Sequence, residues 1–269
     1  MSLLRALLYT CSSSPKVCAP HRLSLSEEFE LCMVTGFAAL EPCKEVASRV
    51  ELVEKGDLDL SSLGLGKAIA DALSKAMHEL GHRMIMEIAL AMPIASALGK
   101  LIESGRTLSD AMNVLKRAAM LSAPEDALSL VSALRRIGGE YALMVERADL
   151  SDRKIVVEGM RLMDVVTQLS SYSPSMSLLF SADEALRMLS IARNELRRGS
   201  SVLQALSKAF LSRAFEGLGI VERIEDVHDA KGLARVARLD RELRSKGVRM
   251  NHLLIPLLYA SMQLVREGF

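Results

Sequence analysis

The chain has 269 residues, a formal charge of +1 from 34 Lys and Arg against 33 Asp and Glu, 50% hydrophobic residues, no Trp and only ten Phe and Tyr. That length and apolar content support a full-sized core and exclude disorder or a collagen-like repeat. The near-zero charge leaves no long-range field to gather nucleic acid or an anionic membrane.

With aromatics at 4% and 15 Met, the core falls to Leu, Ile, Val, Ala and Met, which favours helices and speaks against an all-β fold. Asn and Gln together number six, a shortage met in proteins that work at high temperature, although the Met content argues the other way.

In chain order, Met1 to Tyr9 is apolar but too short for a signal-peptide core, and reads as a helix. Cys11, Cys18, Cys32 and Cys43 show no C-x-x-C spacing and read as reduced thiols of a cytosolic protein. Gly64-Leu65-Gly66-Lys67 lacks the spacing of a phosphate loop. Met84 to Leu98 is the most apolar stretch, yet it contains Glu87 and Pro93 and is shorter than the roughly 20 residues that span a bilayer.

Five capping-box pairs mark helix starts: Ser24 with Glu27, Thr107 with Asp110, Ser122 with Glu125, Ser181 with Glu184, and Ser201 with Gln204. Gly105, Gly138-Gly139, Gly199 and Gly247 follow periodic runs as stops. Lys231 to Arg249 reads as a helix whose basic side chains face water, with Leu233, Val236, Leu239 and Leu243 inward. The pattern predicts an all-α, single compact multi-helix domain of about nine or ten helices over residues 1–269.

Two motifs carry chemistry. His78-Glu79-Leu80-Gly81-His82 matches H-E-x-x-H, which on one helix sets two imidazoles for Zn²⁺ beside a carboxylate that activates water. Arg83 after the second His opposes a cation, and the motif usually lies beneath a sheet, of which the sequence has no sign; polar-face or capping roles around Gly81 compete with the metal reading. The second is Pro15-Lys16-Val17-Cys18-Ala19-Pro20-His21-Arg22, two cations and an imidazole feeding a helix start, a group suited to phosphate.

This octet resembles the P-K-P-G-N-V-H-R loop of the triphosphoribosyl-dephospho-CoA synthase family, matching it at Pro15, Lys16, His21 and Arg22. The resemblance continues through Phe29, through Asp126-Ala127, Ala133 and Arg135 ahead of Gly138-Gly139, through Asp164 with Val166, and through Leu239 to Arg244 ahead of Asn251. Ala91-Met92-Pro93-Ile94-Ala95 fits the family's A-P-L-A. Val17-Cys18-Ala19 stands where the family has P-G-N, and its N-T-N-L-G falls on His82 to Met86.

The resemblance implies transfer of a triphosphoribosyl group from ATP to a hydroxyl of dephospho-CoA or a related phosphorylated substrate, with departure of adenine. Such a displacement needs cations or Mg²⁺ on the triphosphate, a base for the hydroxyl and an acid for adenine. It nominates His21, Asp126 and Asp164 for catalysis, and Lys16, Arg22, Arg83, Glu87, Arg135 and Asn251 for binding the nucleotide. The competing expectation is a helical descendant that binds a ligand or partner without catalysis; a zinc hydrolase through His78, Glu79 and His82 stands third. The expected partner is a small nucleotide, with no nucleic acid, membrane or resident metal.

Overall fold

The computed structural model describes residues 2–24, 27–220, 227 and 229–269. Among the described residues there are fifteen α-helices and no strands: α1 (Ser2–Ser12), α2 (Glu28–Ala38), α3 (Leu40–Lys55), α4 (Leu65–Leu80), α5 (Met86–Glu103), α6 (Leu108–Leu121), α7 (Pro124–Ile137), α8 (Gly139–Arg147), α9 (Asp152–Val157), α10 (Leu162–Ser170), α11 (Pro174–Leu178), α12 (Ala182–Arg197), α13 (Val202–Gly217), α14 (Ala230–Ser245) and α15 (Leu254–Arg266). The all-helical expectation holds, and the count corrects nine or ten upward. Helices such as α9 and α11, of six and five residues, are too short to display a period.

The apolar run from Met84 becomes the central helix. Every residue of α5 from Met86 to Gly99 is buried, and α1, α2, α3, α4, α6 and α15 pack around it. A helix apolar on all sides needs such a sheath, which explains the run without a membrane. No helix among the described residues is long and apolar enough to cross one. At Gly99 a Cβ would lie 2.0 Å from Met262 Cε, so the missing side chain sets how closely α15 approaches.

Three of the five caps form: Thr107 accepts from Asp110 N at 3.1 Å, Ser181 from Glu184 N at 3.4 Å, and Ser201 from Gln204 N at 3.4 Å. Ser122 does otherwise, because Pro124 begins α7 and Ser122 Oγ accepts from Leu162 N at 3.1 Å, joining two loops. Ser24 is turned back to accept from His21 N at 3.3 Å, while Glu27 is the N-cap of α2 with no side-chain cap bond.

The cysteines correct a second expectation. Cys11 of α1 and Cys32 of α2 form a disulfide, and only Cys18 and Cys43 are free and buried. Burial raises both free thiols, Cys18 to about 11 with the charge of Asp240 adding to the effect, so neither is a nucleophile for exchange with the disulfide. The bond closes a loop of 21 residues. Replacing both Cys11 and Cys32 with Ser should lower the melting midpoint by roughly 5–10 °C through the loop-closure entropy returned to the unfolded chain, measured by differential scanning calorimetry.

Candidate functional site

Gly81, at φ +58°, ends α4, and the chain passes through a 3-10 turn, Gly81–Arg83, before Ile85 N bonds Thr35 Oγ1 at 3.0 Å and α5 begins. The helix therefore stops between His78 and His82, and the two imidazoles do not share the helix face that a zinc motif requires. Among the described residues no three His, Cys, Asp or Glu side chains gather as metal ligands.

This turn instead forms one wall of a cleft of about 430 Å³. His82, Met84, Met86 and Glu87 face the Gly138-Gly139 turn, and Tyr141 and Met144 of α8 continue that wall. Tyr172 and Ser175 close another side, and Arg249, Asn251 and His252 come from the turn before α15. Gly138 and Gly139 have φ of +78° and +56°, a conformation that L side chains resist, and they aim the first turn of α8 at the cleft. The N–H groups of Gly139, Glu140 and Tyr141 have no hydrogen-bond partner among the described residues, as at any uncapped helix start.

Glu87 is the chemical centre of this cleft. Only 8% exposed, it accepts from Ser175 Oγ at 3.0 Å. Burial raises its carboxyl above the ordinary range, opposed by hydrogen bonds from its own N–H and from Ser175. Burial likewise raises the Tyr141 phenol, with Glu87 and Glu140 adding to the effect. Burial also lowers His252 below the ordinary imidazole range, opposed by the charge of Glu184. The cleft thus combines a buried carboxyl group, an imidazole made less basic by burial and one guanidinium beside two tyrosines, in a chain with four Tyr in all.

Glu87 and Asn251 of the expected binding residues meet here. Arg83 lies at the surface, paired with Glu27. Asp126 serves the scaffold: its Oδ1 accepts from Lys67 N at 2.7 Å at the start of α4, so the Gly64 to Lys67 segment holds the chain's own carboxylate where a phosphate loop would hold an anion. Asp164 caps α10, accepting from Arg161 N at 2.8 Å. Arg135 binds Asp152 and the Leu150 carbonyl, tying α7 to the α8–α9 connection. Arg22 is exposed, its N–H held by Ser14 Oγ at 3.0 Å.

Lys16 and His21 line a different cavity. The Lys16 amine has no exposure and donates to Thr10 O at 2.6 Å and Pro20 O at 2.9 Å, which satisfies a carbonyl at the open end of α1 and closes the loop on itself. Burial pulls that amine well below the usual lysine range. His21 Nδ1 accepts from Leu23 N at 3.2 Å. The loop is tied to the turn beside the cleft through its backbone, where Met250 N donates to Cys18 O at 2.9 Å.

The sequence reading missed Tyr141, Tyr172, Ser175 and His252, and it placed Arg249 on a solvated helix that ends at Ser245. The scarcity of aromatics was the available signal, since two of the four tyrosines line this cleft. Compared with protein-family models, curated proteins and solved structures, the chain matches none.

Burial, with the charge of Lys16 adding to it, lowers the His21 imidazole from 6.5 to about 4. Between those values the unfolded chain takes up a proton at His21 and the folded chain does not. Stability present above pH 6.5 is therefore lost as pH falls toward 4, by on the order of 3 kcal/mol. Urea midpoints from pH 7 to 4 should decline less steeply for His21→Asn than for the parent; equal declines would show another group to be responsible.

Proposed function

We propose that this chain is a divergent relative of the triphosphoribosyl-dephospho-CoA synthase family that takes the nucleotide in the Glu87 cleft and transfers its triphosphoribosyl group to a hydroxyl acceptor. The observation that carries the reading is convergence: the start of α5, the Gly138-Gly139 turn and the Asn251 turn, three segments of the resemblance, meet around one buried carboxyl group.

In this reading adenine lies between the Tyr141 and Tyr172 walls, and Glu87, whose carboxyl burial shifts toward the acid form, donates to adenine as the glycosidic bond breaks. His252 takes the proton of the attacking hydroxyl. Arg249 and the free N–H groups of α8 face the phosphates. One guanidinium does not balance a triphosphate, and among the described residues no cluster of acidic ligands lines the cleft to hold Mg²⁺, so the metal ion would enter bound to ATP. In this reading His21, Asp126 and Asp164 lie outside the cleft and take no part in the transfer.

A second reading, binding without transfer, is favoured by the engagement of Lys16, Asp126 and Asp164 in the scaffold. Isothermal titration with ATP and dephospho-CoA, with and without Mg²⁺, followed by chromatographic assay of released adenine, separates the two. Binding with release supports transfer, binding without release supports the second reading, and absence of binding defeats both. Where release is found, Glu87→Gln should reduce its rate by about 10²–10⁴-fold, and the parent rate should fall as pH rises through the elevated Glu87 value, because the acid form is the active one.

A further inference from the structure

Besides Glu87, the cleft has one polar side chain withdrawn from solvent, Ser175, which is 7% exposed. Its hydroxyl has a single hydrogen-bond partner among the described residues, Glu87 Oε1 at 3.0 Å. Helix α11 is fixed at both ends around it. Ser173 Oγ accepts from Met176 N at 3.5 Å, and Pro174 sets the backbone at the first helical position. Directly after the helix, the Leu179 carbonyl accepts from the Tyr259 hydroxyl at 2.8 Å, and Tyr259 is fully buried on α15. The Ser175 hydroxyl is thereby tied to the core rather than to the surface.

The two oxygens of Glu87 are therefore unlike. Oε1 takes the Ser175 donor, and no other residue's hydrogen bond to the carboxyl group is found among the described residues. A hydroxyl has one hydrogen to give, and the oxygen that accepts it is the less suited to carry the acid proton. That proton then belongs on Oε2. The same hydrogen bond is stronger to the ionised carboxylate than to the neutral acid, so it steadies the anion left when the proton departs.

We propose that Ser175 is a positioning residue for Glu87: its hydroxyl holds Oε1, keeps the acid proton on Oε2 and stabilises the carboxylate formed when that proton leaves. Its meaning for catalysis rests on the transfer reading. There the Oε2 proton passes to a ring nitrogen of adenine, and the electron pair of the glycosidic bond leaves with the base. The acceptor oxygen bonds to the ribose carbon and gives its own proton to His252. Glu87 ends as a carboxylate facing the Ser175 hydrogen.

The test is carbon-13 NMR of the full chain labelled at the Glu carboxyl carbons, with the Glu87 signal identified by its absence in Glu87→Gln. The other titratable or charged groups around Glu87 are Glu140 and Tyr141 of α8, Tyr172, His82, and Arg249 and His252 before α15, and all of them are kept in the Ser175 variants. In Ser175→Ala the Glu87 midpoint should rise by about one pH unit, because the carboxylate loses its donor. Ser175→Thr, which retains a hydroxyl, should keep the parent midpoint. Where adenine release is found, Ser175→Ala should lower the low-pH rate by about 10-fold with KM unchanged, and the fall with rising pH should move upward with the midpoint. A merely structural loss would lower the rate without moving that fall. An unchanged or lowered midpoint in Ser175→Ala, or a Thr variant that behaves as the Ala one, would overturn the proposal. A raised midpoint in Ser175→Ala, restored in Ser175→Thr, with no adenine release from the parent would support the hold on Glu87 and defeat the transfer reading instead.

Discussion

A helix with no solvent face organises this molecule. Over the buried span of α5 from Met86 to Gly99 the only polar side chains are Glu87 at its start and Ser96, whose hydroxyl donates to the Cys43 carbonyl at 2.8 Å. At the N-terminal end lies Glu87, enclosed by the same sheath that buries the rest of the helix. Two effects compete there. A helix N-terminus favours an ionised carboxylate by a few tenths to about 1 kcal/mol in exposed settings, whereas removal from water favours the neutral acid more strongly. Desolvation wins, and the Glu87 carboxyl lies above its ordinary range.

The same need to satisfy groups removed from water explains why most of the polar residues suited to catalysis are engaged elsewhere. A protein of many short helices has many helix ends, each with orphan N–H or C=O groups. Asp126 and Asp164 answer N-termini, and Lys16 answers a C-terminal carbonyl of α1. Arg135 closes a loop in the same manner. A polar residue in a loop beside a helix start has two possible employments, and the choice depends on which backbone groups come within 3 Å of it in three dimensions.

That dependence marks how far the sequence could be read. Helical class followed from composition, and the start of α6, with its Thr107 cap, was legible because cap and helix are adjacent in the chain. Ser122 was misread because its partner, Leu162, is 40 residues away. The Cys11–Cys32 pairing was hidden for a similar reason, since spacing alone does not say that α1 and α2 lie side by side. In the cleft, Glu87 and Asn251 were found through the resemblance, whereas Tyr141, Tyr172 and Ser175 come from short elements with no recognisable period.

The backbone of Cys18 has a consequence for how the molecule can behave as a whole. Its N–H is held by Asp240 Oδ1 of α14 at 2.6 Å, and its carbonyl accepts from Met250 N, beside Asn251. One residue thus joins the helix bordering the Lys16 cavity to the turn bordering the Glu87 cleft. A shift of α14 would pull on the same peptide units that hold the Asn251 turn. The chain has, in a single left-handed residue at φ +53°, a mechanical linkage between two chambers.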